Sequence, residues 1–265
     1  MVLLSERRER EPVIGVIGGM GPYAGLDLVR KVFDETAANT DQEHLPVALL
    51  SYSQRIQDRT AYALGRTEEN PGIAIADVGA ALDRLGATVA GIPCNSAHMP
   101  PIFDVTVDLL RRRGCQMRLL HLIHETMQHI QETLPDVRRV GVLSTLGTFR
   151  LGVYEKAIRA SGLEPVMPTE RIQDRFVNRA IYDPVFGIKA QSDPVTPQAT
   201  ELLLHAMRFL SVHDAEAIIL GCTELPLAVP ASWNFTVVDP ARALARALIR
   251  ATYPHKLRPI ESACT

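Results

Sequence analysis

The sequence predicts an α/β protein of two pseudo-symmetric domains, each a four-stranded parallel sheet flanked by helices, with the functional site in the cleft between them. Three observations predict it. Short apolar runs alternate with segments of helical periodicity, the order expected of a parallel sheet covered on both faces. The order repeats: Ile92-Pro93-Cys94-Asn95-Ser96-Ala97-His98 has a counterpart in Leu220-Gly221-Cys222-Thr223-Glu224-Leu225-Pro226, and Val13-Ile14-Gly15-Val16-Ile17-Gly18-Gly19 has one in Val140-Gly141-Val142-Leu143-Ser144-Thr145. Gly15 also lies nearly as far from Cys94 as Gly141 does from Cys222, so each copy presents one cysteine at an equivalent place.

In the first half, Pro12 to Ile17 reads as a buried strand running into the glycine-rich turn Gly18 to Pro22. Leu26, Val29, Phe33 and Thr36 recur at helical spacing, with Asp27, Arg30 and Lys31 off that face. Pro46 to Leu50 is a second strand, and it leads to a polar loop, Ser51 to Thr60, that carries Arg55, Asp58 and Arg59. Ala74, Val78, Ala81, Leu82 and Leu85 form one face of a helix closed by Gly86. The strand Ala87 to Ile92 then delivers Cys94. In the second half, Arg118 to Leu122 is a strand, and Ile123, Met127, Ile130 and Leu134 mark a helix. Arg139 to Leu143 (strand), Leu151 with Tyr154 and Ile158 (helix), and Pro165 to Met167 (short strand) follow. Leu202, Leu203, Ala206 and Leu210 mark a further helix, and the strand Ala215 to Leu220 delivers Cys222. Phe235 to Val238 and the helix Ala241 to Arg250 close the fold, and residues 254–265 read as a frayed tail. Segments 118–134 and 235–250 each follow a cysteine segment and fit on either sheet. The division taken is 1–116 plus 236–265 for the first domain, with Cys94, and 117–235 for the second, with Cys222.

Composition narrows the function. The 265 residues hold 28 Lys+Arg against 30 Asp+Glu, and Arg111-Arg112-Arg113 is the longest basic block, so neither a nucleic-acid nor a membrane partner is expected. Met1 to Glu11 lacks the apolar core of a signal peptide, and no apolar run approaches the roughly 20 residues of a membrane span. Four cysteines without close spacing make neither a disulfide framework nor a zinc site, which points to a reducing cytoplasm. Cys94 and His98 stand four apart but lack further paired ligands, so no metal is expected.

In a parallel α/β sheet, ligands bind beyond the carboxyl ends of the strands. Cys94, Cys222, Gly19-Met20, Arg59 and Thr145 all fall there. Related by an approximate two-fold axis, the two thiols would face one cleft from opposite sides, which suits removal of a proton from one face of a carbon and its return on the other. A thiol acts as a base only as thiolate, and a helix starting just after the cysteine would stabilise that anion. The same free N–H groups would hold a substrate carboxylate. Asn95, Ser96 and Thr223 supply short polar side chains there, and are equally good N-cap types. A single cysteine at a strand end is most often a small buried hydrophobe; two at equivalent positions of a repeat favour chemistry. Cys115 reads as structural or surface, Cys264 as a tail thiol, and His98, His121 and His124 as packing or helix-surface residues.

Two rival classes remain. Gly15, Gly18, Gly19, Gly21 and Gly25 between a strand and a helix raise an NAD(P)-dependent oxidoreductase, but the spacing is not the dinucleotide fingerprint and the second strand ends in Ser51-Tyr52-Ser53, without the acidic ribose ligand. A non-catalytic small-acid binding protein would share the cleft but gives no reason for symmetric thiols.

The segments Ile17-Gly18-Gly19-Met20-Gly21-Pro22, Asp41-Gln42-Glu43-His44, Asp58-Arg59-Thr60, Pro93 to His98, Gly152-Val153-Tyr154 and Gly221-Cys222-Thr223-Glu224-Leu225, in this order, span nearly the whole chain. In them the sequence resembles the cofactor-independent aspartate/glutamate racemases, and most closely the aspartate racemase branch. The resemblance implies an isomerase with its site between two α/β domains, in which Cys94 and Cys222 exchange protons with opposite faces of the α-carbon without pyridoxal phosphate or another cofactor. It implies that Met20, Asn95, Ser96, Thr145 and Thr223 hold the α-carboxylate and amino group, and that Glu224 positions the amino group or tunes Cys222. Arg59 would grip a side-chain carboxylate with two parallel hydrogen bonds, assisted by Lys189. The implied substrate is aspartate, with glutamate, a broader range of amino acids or a hydantoin as alternatives within the family, and a homodimer is implied. Two departures are local: Ser51 to Gln57 lacks the proline usual before Asp-Arg-Thr, and the segment Ile181 to Lys189 is longer than in some relatives.

Overall fold

The central strands are buried almost end to end, as a sheet covered on both faces requires: Ile14, Val16 and Ile17 in one half, and Val140, Leu143, Ile219 and Leu220 in the other, are almost wholly shielded from solvent. A computed structural model describes residues 11–230 and 233–260; the readings made for residues 1–10 and Cys264 fall outside them. In chain order the first half comprises β1 (Val13–Gly18), α1 (Pro22–Asp34), β2 (Val47–Ser51), α2 (Arg59–Ala63), α3 (Pro71–Arg84), β3 (Ala87–Gly91), α4 (Pro100–Arg112), β4 (Arg118–Leu119) and α5 (Leu122–Thr133). The second comprises β5 (Arg139–Ser144), α6 (Leu146–Arg150), α7 (Val153–Ala160), β6 (Glu164–Val166), α8 (Glu170–Ile172), α9 (Arg179–Tyr182), α10 (Pro197–Val212), β7 (Ala217–Gly221), β8 (Val237–Val238) and α11 (Pro240–Thr252). A π-helical stretch, Gln173–Asn178, joins α8 to α9.

Local chemistry sets the boundaries. Asn70 accepts a hydrogen bond from the Gly72 amide (2.8 Å) with Pro71 opening α3, and Asp239 accepts from the Ala241 amide (2.9 Å) with Pro240 opening α11. Both pair an N-cap side chain with proline at the first helical position. Where one helix is expected around Leu151 to Ile158, two form, because Gly152 takes a left-handed conformation (φ 61°) and restarts the chain as α7. Helix α4 and the 170–182 stretch add to the expected elements. Helix α4 begins at Pro100-Pro101 and buries Ile102, Thr106 and Leu110, a helical face that the prolines obscure in the sequence.

The two sheets have the same order, β2-β1-β3-β4 and β6-β5-β7-β8, all parallel. Strand pairing departs from the boundaries expected at 116/117 and 235/236. β4 joins the Cys94 sheet, with Ala90 opposite Leu119, and β8 joins the Cys222 sheet, with Ile219 opposite Val238. The helices behave differently. α11 lies against α1, β1 and β3 of the first half, while α5 lies against α7 of the second and against α11. Each half therefore keeps its last strand and shares its last helix, so one apolar cluster runs from Ile14 and Leu28 through Ile123, Leu244 and Leu248 to Tyr154 and Ile158. A Cβ on Gly91 would stand 2.8 Å from Leu244, so α11 reaches β3 only over a bare backbone. The expected frayed tail is docked as far as Arg258, whose amide bonds the Glu35 carbonyl at 2.9 Å. Among the described residues no helix is long and apolar enough to cross a membrane.

Candidate active site

The central strands of both sheets end at one place. Met20 follows β1, Cys94 follows β3, Thr145 follows β5 and Cys222 follows β7. With Arg59, Asn95, Ser96, Lys189 and Thr223 they line one buried cavity, so nine of the ten residues singled out in the sequence converge; Tyr182 and Gly221 complete its wall. The tenth, Glu224, sits behind Cys222, its carboxylate ion-paired to Lys189 and reaching 2.8 Å from where a Cβ on Gly21 would stand. Cys94 and Cys222 are both buried and unbridged.

The expected helix starting just after each cysteine is not what forms. Single 3₁₀ turns follow, Asn95–His98 and Leu225–Ala228, and neither makes a side-chain capping bond. The long helix α4 starts only at Pro100. The aligned dipole of a full helix is therefore absent at either sulfur; at Cys222 neighbouring charges and the Glu224 backbone amide act instead. Asn95, Ser96 and Thr223 are likewise freed from capping. The Ser96 hydroxyl lies 3.4 Å from the Cys94 sulfur, Thr223 donates across the cleft to the Pro93 carbonyl at 2.9 Å, and the Asn95 side-chain oxygen accepts from the Tyr154 hydroxyl. The Asn95 Nδ2 donor is buried with no partner among the described residues.

Each thiol has its own charged neighbours. Arg59, 8% exposed, donates to the Gln57 carbonyl (3.0 Å) and to the Met20 carbonyl (3.4 Å), while its Nε has no partner among the described residues. Burial works against the Arg59 charge, but the adjacent Cys94 sulfur and the Asp58 carboxylate outweigh it, so its pKa is raised. On the other wall, burial and then the Glu224 carboxylate push the Cys222 thiol up to about 12, with Lys189 pulling the other way. Burial also opposes the Lys189 charge, yet Glu224, Cys222 and Tyr182 raise its pKa well above the usual range. Tyr182, whose hydroxyl lies 3.1 Å from that of Thr60 in the opposite half, has its ring 5.8 Å from the Lys189 ammonium.

His98 lies behind Cys94 rather than on the cavity wall. Its Nδ1 is 2.9 Å from the Cys94 carbonyl, and its ring stacks on Phe103 at 5.0 Å and meets His121 edge-on at 4.8 Å. The glycine turn after β1 is also occupied by the protein. A Cβ on Gly19 would stand 2.8 Å from the backbone nitrogens of Tyr52 and Ser53. With Glu224 beside Gly21, the turn offers a carboxylate where a dinucleotide would require an anion site.

Two residues were missed. Tyr182 lies in the segment leading to Lys189 and partners Thr60 of the Asp-Arg-Thr match; a tyrosine in an unplaced segment carries no signal of its own. Tyr154 belongs to a matched segment but reads as one face of a helix.

These features define a class: a duplicated α/β protein whose halves bring paired thiols to a shared buried cavity. The chain belongs to the Asp/Glu/Hydantoin racemase family, whose model matches residues 17–248, and it is an isomerase of that class. It is 23% identical over 248 residues to the broad specificity amino-acid racemase RacX of Bacillus subtilis (strain 168), covering 91% of this chain and 98% of that one. Among solved structures it resembles the aspartate racemase of Picrophilus torridus, with a TM-score of 0.75, 26% identity and coverage of 91% of this chain and 94% of that one. The glutamate racemase of Francisella tularensis subsp. tularensis SCHU S4, in complex with D-glutamate, shares the fold at a TM-score of 0.62 and 14% identity, over 94% of this chain and 84% of that one.

Proposed function

We propose that the chain racemises an acidic amino acid, aspartate first, by two-base proton transfer between Cys94, the α-carbon and Cys222. The observation that carries this reading is that both thiols line one buried cavity with Arg59 and Lys189. Cys222 is held as a thiol at rest, since burial and Glu224 oppose its ionisation. Cys94, which faces the Arg59 guanidinium, then makes the first abstraction as thiolate. The α-proton passes to the Cys94 sulfur, the Cys222 proton passes to the opposite face of the carbon, and the two sulfurs end with their protonation exchanged. The reverse turn starts from Cys222 as thiolate, with Lys189 as counter-ion.

The α-carboxylate gains negative charge as the proton leaves, and preorganised donors aimed at it lower the barrier. Asn95 Nδ2 is such a donor, without a partner among the described residues, and Thr145 supplies a hydroxyl on the facing wall; the Thr223 hydroxyl lines the cavity too, but its hydrogen goes to the Pro93 carbonyl. Arg59 Nε is a second buried donor without a partner among the described residues and suits the side-chain carboxylate. Lys189 is already ion-paired to Glu224, so it contributes less net attraction for that group. A broader substrate range is the second reading, favoured by this neutralised lysine and by the full-length likeness to RacX.

The cavity is only about 10 Å³, roughly the space of one water. An amino acid needs more room than this, so the walls part to admit it; Tyr182 on the wall contacts Thr60 of the opposite half at 3.1 Å.

The test is proton exchange. Incubation in D2O with a panel of amino acids and hydantoins, read by NMR and chiral chromatography, is expected to place deuterium on the α-carbon of aspartate and to give both enantiomers. Exchange confined to hydantoins or to neutral amino acids would remove the acidic assignment.

A further inference from the structure

Tyr154 is a side chain of the second half that reaches both thiol-bearing walls. It is 1% exposed, stands on α7 and lies one layer behind the cavity lining, against Gly221 and Asn95. Its ring edge stands 2.9 Å from where a Cβ on Gly221 would be, so it lies flush on the backbone just before Cys222. Its hydroxyl donates to the side-chain oxygen of Asn95, the residue just after Cys94. One rigid ring therefore spans the two segments that must keep their separation while a proton crosses between them.

The bond also decides what Asn95 shows to the cavity. A carboxamide has one accepting end and one donating end. With its oxygen engaged by Tyr154, its Nδ2 is turned away from the tyrosine, and that Nδ2 is the buried donor with no partner. Burial raises the pKa of the Tyr154 hydroxyl far above the ordinary phenol value, so it remains a donor across the working pH range.

We propose that Tyr154 is a positioning residue, which holds the Asn95 carboxamide donor-side to the substrate and fixes the Gly221 backbone against it, keeping the two thiol walls in register. The inference rests on the racemase reading for what Asn95 binds, but not for the contact itself. Groups that touch the substrate need such support because small misplacements at a reacting centre are costly.

Tyr154→Phe keeps the ring against Gly221 and removes only the donor. The expected result is a fall in kcat/KM of about 10- to 100-fold, carried mainly by kcat, with a thermal midpoint close to that of the parent enzyme. In an Asn95→Ala background the same change is expected to have no further effect, because the group through which it acts is gone. Full additivity of the two substitutions, or an unaltered kcat in Tyr154→Phe, overturns the proposal. Should Tyr154→Phe fail to fold, the Asn95 side-chain amide of the parent enzyme, assigned by its loss in Asn95→Ala, gives the answer by NMR: a locked, slowly exchanging amide is expected, and a freely rotating one overturns the proposal. The parent exchange assay separates the two failures. No deuterium in any amino acid removes the racemase reading and leaves the amide measurement to judge Tyr154, whereas normal exchange in both parent and Tyr154→Phe removes the Tyr154 role alone.

Discussion

Cys94 and Cys222 follow equivalent strands, β3 and β7, of two sheets with the same order, yet their surroundings differ in sign and in support. Cys94 has a serine hydroxyl at 3.4 Å and a guanidinium facing it. Cys222 has a carboxylate two residues on that opposes its ionisation, and an ammonium tied to that carboxylate. Four residues beyond each sulfur stand a buried histidine, His98, in one half and a proline, Pro226, in the other. The sheet thus places the two sulfurs alike, and what makes them unlike is substitution within the repeat, Ser96 against Glu224 and His98 against Pro226, together with Arg59 and Lys189 from other segments. For the proposed two-base reaction the requirement is one proton shared by the two sulfurs, and the unlike surroundings bear on which sulfur holds it.

Removal of one sulfur at a time separates the roles of the two walls most directly. Cys94→Ala and Cys222→Ala are each expected to lower racemisation by on the order of 10⁴-fold, as when one member of a concerted unit is lost. Each is expected to retain α-proton exchange with one enantiomer only, and the two variants with opposite ones. The same enantiomer surviving in both, or normal racemisation in either, would end the two-base assignment.

A smaller effect is expected at the cations. Arg59→Ala removes a buried charge beside Cys94, and kcat/KM for aspartate is expected to fall on the order of 10²- to 10³-fold, with neutral amino acids affected less. An equal loss across acidic and neutral substrates would take Arg59 out of the specificity role. Smaller again is the effect of Glu224→Gln, which removes the second largest cause of the raised Cys222 thiol. Alkylation of Cys222 by iodoacetamide is expected to accelerate about ten-fold at a fixed alkaline pH, one unit of pKa. Lys189→Met is expected to slow it. Glu224→Gln and Lys189→Met shifting the rate in the same direction would show that the pair does not tune this sulfur.

Legibility followed the same division. The strands were readable because buried parallel strands are continuous apolar runs, and the two cysteines because the repeat aligned them. Helix α4 escaped because Pro100-Pro101 breaks the pattern at the place where a helix start tolerates it. The helix exchange between halves was unreadable for a different reason: α5 and α11 each carry one apolar stripe, and a stripe does not say which sheet it covers. Tyr154 escaped because an apolar helix face accounts for it fully, and only the position of its hydroxyl against Asn95 shows more. The charged residues around the sulfurs came from the family resemblance; spacing alone assigns none of them to a particular thiol.

The histidines behind Cys94 distinguish the two walls without touching chemistry at neutral pH. Burial, then the neighbouring histidines, hold His98 down to about 3 and His121 to about 4. His121 also accepts a hydrogen bond from the His124 amide at the start of α5, an acceptor that protonation of its Nδ1 removes. In the unfolded chain both rings take up protons near their ordinary value of 6.5, so between that pH and 4 the unfolded state binds more protons than the folded one. The stability that neutral histidines confer is therefore complete above about pH 6.5 and is lost as pH falls toward 4, with a slope of up to about two protons per pH unit. Urea unfolding at a series of pH values is expected to show that loss, and His121→Gln to reduce its slope by about one proton. The loss is also expected to be local. Amide exchange at pH 5 should quicken first around residues 94–99 and 121–124, behind Cys94, while the Pro226 side keeps its protection. Equal loosening of both sides would mean that the histidine cluster contributes nothing particular to the Cys94 wall.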